Sequence, residues 1–382
     1  DGGTLGKYSS LGAPVASDLT WETAQQWDLG LDVAMFNNRL NLTGDVYIRD
    51  TKDMLTAGIA LPGVYGAASP NMNAADLRTK GYELTVSWRD QFQLAGKPFE
   101  YSVGFNISDY KSVITKYDNP DKSLSKPYYV GMQLGEIWGF KTDGFFKTTE
   151  EAQAYAKEVD LSYSSGRLTG GWQAGDLKFV DLDGNHIWDV GENKVGKSGD
   201  KTILGNELPT FSYGINASIR WCGFDASVFF QGTGNHYWYP HGRAQGFWGS
   251  YSYPYLSYLP KDFLGKVWAE DNTDSYFPRA RAYSSTGGYL AKVNDRYLQN
   301  LRYLRLKNLT VGYTIPMKIT QKAGIDQVRI YFSGENLCYW SPLKKNSKYI
   351  DPEAAFSRDN DAYNYAHYPW PRTFMFGIDV TF

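Results

Sequence analysis

The side chains best spaced for chemistry lie in one acidic run, Asp181-Leu-Asp-Gly-Asn-His-Ile-Trp-Asp-Val-Gly-Glu192. Asp181, Asp183 and Asn185 stand at loop positions one, three and five. The Ile187 carbonyl falls at seven, Asp189 at nine and Glu192 at twelve. That spacing wraps oxygen ligands around one calcium ion, which takes about six to eight of them. Trp188 fills the apolar place at position eight, and His186 stands where such loops usually carry glycine. Histidine tolerates positive φ better than most residues, so the fit is weakened and not broken. No paired helices flank the run, which points to a structural ion and away from a signalling site. The alternative is a solvated acidic turn without metal.

No other constellation has catalytic spacing. The four histidines, His186, His236, His241 and His367, lack zinc-ligand spacing. There is no nucleophile–base motif and no phosphate-cradling glycine loop, so an enzyme is not the expectation. Cys222 and Cys338 are too few for a disulfide framework and read as free thiols, with a single bridge as the alternative. Thirty-nine basic against 41 acidic residues give a net charge of -2, without the basic excess that nucleic acid would favour. Tyr237, Trp238, Tyr239, Phe247, Trp248 and Tyr251 open an aromatic run that continues through Tyr253, Tyr255 and Tyr258, with Arg243 as its one charge. Flat rings stack on sugars and also dominate protein interfaces. The run therefore reads as substrate contact, contact with a protein lid, or loop–loop packing. The loop Tyr349 to Trp370 shares that ambiguity.

The elements that must carry these loops are strands. The longest charge-free apolar stretch, Met54 to Ala68, is broken by Gly58, Pro62, Gly63 and Gly66. It falls short of the roughly 18–20 residues of a spanning helix. A mean hydropathy of -0.46 suits a soluble protein and a transmembrane barrel equally, because half of each barrel strand faces water. The pattern decides. Trp27, Leu29, Leu31, Val33 and Met35 alternate with polar or small residues, as do Tyr82 to Trp88, Tyr101 to Ile107, Phe211 to Trp221, Leu309 to Ile315 and Val328 to Phe332. Such runs have one wet and one dry face. Several reach the length of a tilted bilayer span, and many end in Trp, Tyr or Phe. Tight links at Phe36-Asn37-Asn38 and Cys222-Gly223 contrast with long ones at 147–207 and 237–300. Short turns on one rim and long loops on the other characterise outer-membrane barrels. In the last strand Phe374, Phe376, Ile378, Val380 and Phe382 form one face. The chain ends on that aromatic, like the signal by which barrels are recognised for insertion. About ten strands are expected; an unclosed wall would leave edges unpaired in lipid, so this segment is not expected to fold by itself.

Several strings resemble the C-terminal half of the SusC/RagA family of TonB-dependent transporters. They include Leu19-Thr-Trp-Glu-Thr23, Gly175-Asp-Leu-Lys-Phe-Val-Asp-Leu-Asp-Gly-Asn185, Ile203-Leu-Gly-Asn206, Pro209 to Gln231, Leu304 to Tyr313, Ser333-Gly-Glu-Asn-Leu337 and Tyr368-Pro-Trp-Pro-Arg372. The resemblance implies an all-β, 22-stranded transmembrane antiparallel barrel, of which residues 1–382 are the C-terminal part, with 147–207 as a long extracellular loop. It implies a plug and TonB box outside this segment and coupling to TonB-ExbB-ExbD through them. It further implies a SusD-like surface lipoprotein as lid, import of glycan or peptide, and seating in outer-membrane lipid. An adhesin, a membrane enzyme, a porin or a siderophore receptor without a lid are the rival readings.

Overall fold

The computed structural model describes residues 14, 15, 17, 19–57, 64, 69–164, 168, 170–256, 259–355 and 369–382. Among the described residues nine strands form one sheet in chain order, close to the ten or so expected. They are β1 (Thr23–Met35), β2 (Leu40–Ala57), β3 (Asn71–Leu94), β4 (Lys97–Lys116), β5 (Thr210–Trp221), β6 (Phe224–Asn235), β7 (Tyr303–Thr314), β8 (Gln327–Trp340) and β9 (Thr373–Thr381). Strands neighbouring in sequence also neighbour in the sheet, and the pairs from β4 to β9 are antiparallel, an up-and-down winding. Ala95-Gly96 and Cys222-Gly223 both have positive φ at their two central residues, at 51° and 71° and at 51° and 84°. That is the type I′ hairpin, whose twist matches the strands it joins. Phe36, Asn37 and Asn38 are likewise left-handed. Longer links, 58–70, 117–209, 236–302 and 341–372, alternate with these turns and with the link 315–326, which holds a short helical segment. The expected loop 147–207 lies within the second of them. The predicted rim asymmetry is present.

The register separates the two faces of the wall. Tyr101, Ile219, Ala226, Val311, Phe332 and Phe376 face each other across successive strands. One residue further along each strand, Ser102, Ser218, Ser227, Thr310 and Ser333 form the opposite face. Ser102 and Ser218 share a hydrogen bond of 2.8 Å, and Thr310 and Ser333 one of 3.3 Å. On the apolar face Ile219 is 49% exposed, Val311 41% and Phe376 82%. A bare apolar surface on that scale requires lipid as its solvent.

The polar face carries a charged row toward the short turns. Arg220 pairs with Glu100 at 3.2 Å. Arg329 holds Asp225 through Nε at 3.0 Å and Nη2 at 2.7 Å, and reaches Asp379 at 3.3 Å. Asp225 lies on β6 and Arg329 on β8, so the pair crosses β7. It can do so because Gly312 stands between them. A Cβ there would lie 2.6 Å from Arg329 Nη2 and 2.7 Å from Asp225 Oδ1.

The chain divides into two compact units. One takes in Val46–Gly81 and Tyr110–Leu134. In it Arg78 binds Asp50 with two hydrogen bonds, 2.6 and 2.9 Å, and Asn119 ties its turn to the Ser123 and Tyr128 carbonyls. The other contains Gly135–Phe382 and most of the wall.

Candidate functional site

The tight turns Ala95-Gly96 and Cys222-Gly223 stand at one rim of the wall. Above the opposite rim the links 117–209 and 236–302 build a layer with its own core. Phe140, Phe146, Leu177, Phe179 and Trp188 from the first link pack with Phe263, Phe277, Tyr289, Leu290 and Tyr297 from the second. Each fully buried side chain of this size contributes about 1.5–3 kcal/mol. Two links far apart in sequence thus stabilise one another. The first also carries α1 (Thr149–Glu158). Thr148 Oγ1 accepts the Glu151 N–H at 3.1 Å and Glu151 returns to the Lys147 N–H at 2.8 Å. This is the predicted capping box, shifted one residue on its return arm.

The link-to-link joint is ionic as well. Asp176 is fully buried, and Arg281 grips it through Nε at 2.6 Å and Nη2 at 2.7 Å. A second buried set fastens the link 341–372 to β7. Arg305 donates to Asp351 at 2.5 Å, and Lys307 to Glu353 at 2.7 Å. Arg305 also lies 4.7 Å from the centre of the Tyr339 ring.

Of the six aromatics read as substrate contact, lid contact or loop packing, Trp238, Tyr239, Phe247, Trp248 and Tyr251 pack into this layer, the third of those readings. Phe247 is 3% exposed, Trp248 and Tyr251 0%, and Trp238 9%. Trp248 Nε1 donates to the Pro240 carbonyl at 3.1 Å and Tyr251 Oη to the Pro278 carbonyl at 2.5 Å. Tyr239 Oη donates to the Leu290 carbonyl at 2.8 Å and accepts from Asn294 at 2.7 Å. Burial pushes the Tyr239 and Tyr251 hydroxyls far above their ordinary pKa. Tyr237 closes over Gly205, where a Cβ would meet its ring at 2.9 Å. A substrate could reach the buried rings only by opening the core. Tyr258, His367 and residues 356–368 of the second aromatic loop lie outside the described residues, as does Tyr368 of the Tyr-Pro-Trp-Pro-Arg string.

The acidic run folds as a tight loop. His186 has φ 63° and Gly184 φ 73°, so histidine does take the left-handed turn. Asp181 accepts the Gly184 and His186 N–H groups at 2.8 and 2.9 Å. Asn185 Oδ1 accepts the Ile187 N–H at 2.7 Å, and Asp189 Oδ1 the Gly191 N–H at 2.6 Å. Trp188 is buried against Phe140 and Phe179, with ring centres at 4.4 and 4.2 Å. The convergent acids are Asp181, Asp183 and Asp200, with one ligand oxygen from each within 4.8 Å of the others. Glu192 points elsewhere, 2.7 Å from Lys197 and 3.4 Å from Lys194. Lys197, then Lys194, hold its carboxyl below the usual range. Asp200 takes the Leu182 and Asp189 N–H groups at 2.5 and 3.0 Å. Burial raises its pKa, and those backbone donors oppose the rise. Asp200 was missed because it stands outside the twelve-residue window.

Phe374, Phe376, Ile378, Val380 and Phe382 are 60%, 82%, 65%, 42% and 85% exposed, all on the apolar face. Cys222 and Cys338 are free.

A two-faced antiparallel wall, bare and apolar on one face and polar on the other, with tight turns at one rim and a packed layer at the other, has the build of a segment of a membrane-spanning β-barrel. The profile of the family described as TonB dependent receptor-like, beta-barrel, matches residues 2–230. The chain belongs to that family of outer-membrane barrels. TonB-dependent receptor P3 of Formosa agariphila is 29% identical over 99% of this chain and 37% of its own length. TonB-dependent receptor SusC of Bacteroides thetaiotaomicron is 25% identical over 98% of this chain and 34% of its own. The chain thus spans about a third of the length of these relatives. Among solved structures, the RagAB peptide importer in its open-open state superposes with a TM-score of 0.69 at 20% identity, over 98% of this chain and 36% of that one. Its closed-closed state gives 0.66.

Proposed function

We propose that this wall belongs to a TonB-powered importer that takes up oligosaccharides across the outer membrane beneath a SusD-like surface lipoprotein. The observation that carries the reading is the inner face. Its row of Ser102, Ser218, Ser227, Thr310 and Ser333, with Asn106 and Asn216 on the same face, offers neutral donors and acceptors of the kind a polyhydroxylated solute exchanges for water. Lid binding falls to the layer built by 117–209 and 236–302, and energy coupling to TonB-ExbB-ExbD through the plug-bearing part of the protein. The exposed row ending at Phe382 acts as the insertion signal. A peptide is the second reading, favoured by the peptide importer among the structural neighbours. Mild solubilisation of the full-length receptor is expected to bring down a lipoprotein lid, and the purified pair to bind a glycan and not a peptide library. A receptor that purifies without a lipoprotein would overturn the first part, and peptide binding the second.

We propose further that the acidic loop takes calcium as a structural ion, held by the convergent carboxylates of Asp181, Asp183 and Asp200. Glu192 would have to leave Lys194 and Lys197 to complete the predicted set. Substituting Asp181→Ala with Asp183→Ala is expected to make the link 117–209 cleave several-fold faster in calcium buffer. Identical cleavage of the wild type with and without chelator would remove the ion from this account.

A further inference from the structure

The outer, lipid-facing side of the wall holds a cavity at its long-link rim that differs from the rest of the apolar face. Register places Tyr213, Gly232, Leu304 and Trp340 in one row across β5, β6, β7 and β8. The row shares its face with Ile215, Phe230 and Leu306, and so points to lipid. Tyr213 lies flat across Gly232, whose Cβ would fall 2.4 Å from the ring, and its hydroxyl donates to the Tyr303 carbonyl at 3.2 Å. The ring is thereby pinned along the wall and does not stand out from it. Trp340 remains 56% exposed beside it. Between them, at the rim, opens a cavity of about 780 Å³ lined also by Gly234, Cys338, Arg302 and Lys344 and, from the alternate strand positions, by Thr233, Tyr303 and Tyr339.

Two features set this cavity apart from an ordinary interfacial aromatic belt. Its lining contains two cations and no carboxylate. Arg302 is exposed and makes no side-chain hydrogen bond or ion pair among the described residues, unlike Arg281, Arg305 and Arg329. Lys344 is anchored at the rim by a hydrogen bond to the Tyr339 carbonyl, with its ammonium 3.6 Å from the centre of the Tyr339 ring. An arginine left free at the edge of a lipid-facing surface is matched by a headgroup phosphate, which it can bind bidentately. The apolar row beneath, Leu304 and Leu306 with the flat Tyr213 ring, follows the direction an acyl chain would take into the bilayer. Basic pockets at membrane boundaries bind anionic headgroups in this way.

We propose that this cavity is a binding site for one phosphorylated lipid of the surrounding leaflet, with Arg302 and Lys344 on the phosphate and Tyr213, Leu304 and Trp340 along its acyl chains. The proposal depends on the wall standing in a membrane and is independent of which solute is imported. The test uses the full-length receptor in mild detergent, with retained lipid counted by native mass spectrometry. The probes are lipid A, its dephosphorylated form, and inorganic phosphate. Lipid A is expected to bind the wild type at least about tenfold tighter than it binds the Arg302→Gln, Lys344→Gln double variant. Dephosphorylated lipid is expected to lose a similar factor on the wild type, and inorganic phosphate to leave the lipid in place. Trp340→Ala is expected to weaken lipid A while leaving the preference for its phosphates intact. Equal binding of both lipids to the wild type would overturn the proposal, even if the double variant failed to fold. Displacement by inorganic phosphate would replace it with a free-anion site, and unchanged binding in a folded double variant would exclude these two cations.

Discussion

Replacing Arg281 with alanine is expected to open the layer above the wall by about 3–5 kcal/mol, the cost of leaving a buried charge without its partner. Asp176 is wholly buried, and Arg281 supplies both of its ionic contacts. Without the guanidinium, the carboxylate keeps the Gln173 N–H at 2.9 Å and the Tyr289 hydroxyl at 3.5 Å. Those neutral donors do not offset its desolvation. Arg281 also donates to the Gly171 carbonyl at 2.9 Å, so the loss reaches the backbone of the first link. The link 117–209 and the link 236–302 share this joint, and both should become protease-sensitive together, with the open population rising about 10²–10⁴-fold. Limited proteolysis of the full-length receptor in membranes reads this directly. Arg281→Lys keeps the charge and loses the fork, so it should fall between alanine and wild type. The double variant Arg281→Met, Asp176→Asn should recover most of the resistance, because no charge is then stranded. Cleavage confined to one link in the alanine variant would show that the two links do not stabilise each other.

The sequence made the wall legible and hid most of what sits above it. Period-two alternation is a local property, so Phe211 to Trp221 and Phe374 to Phe382 declared their faces without knowledge of any partner strand. Cys222-Gly223 declared its hairpin for the same reason. The capping box at Thr148 and Glu151 is also local, and only its return arm differed. What stayed hidden were arrangements that depend on distant residues. The rings from Tyr237 to Tyr251 look available in sequence because few charges surround them. Their ring partners Phe263, Phe277 and Tyr297 lie well beyond the run in sequence. Composition cannot distinguish a ring waiting for a sugar from one waiting for a phenylalanine. In the acidic loop, the spacing rule found Asp181 and Asp183 and then followed the window to Glu192. The fold instead brings Asp200 back to the loop backbone, while two lysines close in sequence take Glu192. The ion pairs of Arg281, Arg305 and Arg329 left no trace in local pattern, since each bridges residues 46 or more apart in the chain.

Arg305→Met should have the other large effect, releasing the link 341–372 from β7. Arg305 and Asp351 are 1% and 2% exposed, and Glu353 12%. Arg305 donates to Asp351 at 2.5 Å, and its Nε lies 2.7 Å from Glu353 Oε1, off the line of a hydrogen bond. One cation therefore faces two carboxylates, and Lys307 compensates only Glu353, at 2.7 Å. Asp351 is the hub on the link side. It accepts the Glu353 N–H at 3.0 Å and the Trp370 N–H at 3.3 Å, so its position sets where the chain re-enters the wall ahead of β9. Methionine would keep the packing against Tyr339 and strand Asp351 with no cation, at a cost of about 3–5 kcal/mol. Proteolysis within 341–355 should rise by orders of magnitude, while the heat-modifiable mobility of the barrel, set by the nine-stranded register, should change little. The triple variant Arg305→Met, Asp351→Asn, Glu353→Gln separates charge from shape. If the arginine serves to neutralise, the triple variant should recover most of the protection. If it serves as a geometric fork aligning the link on β7, the triple variant should remain as open as Arg305→Met.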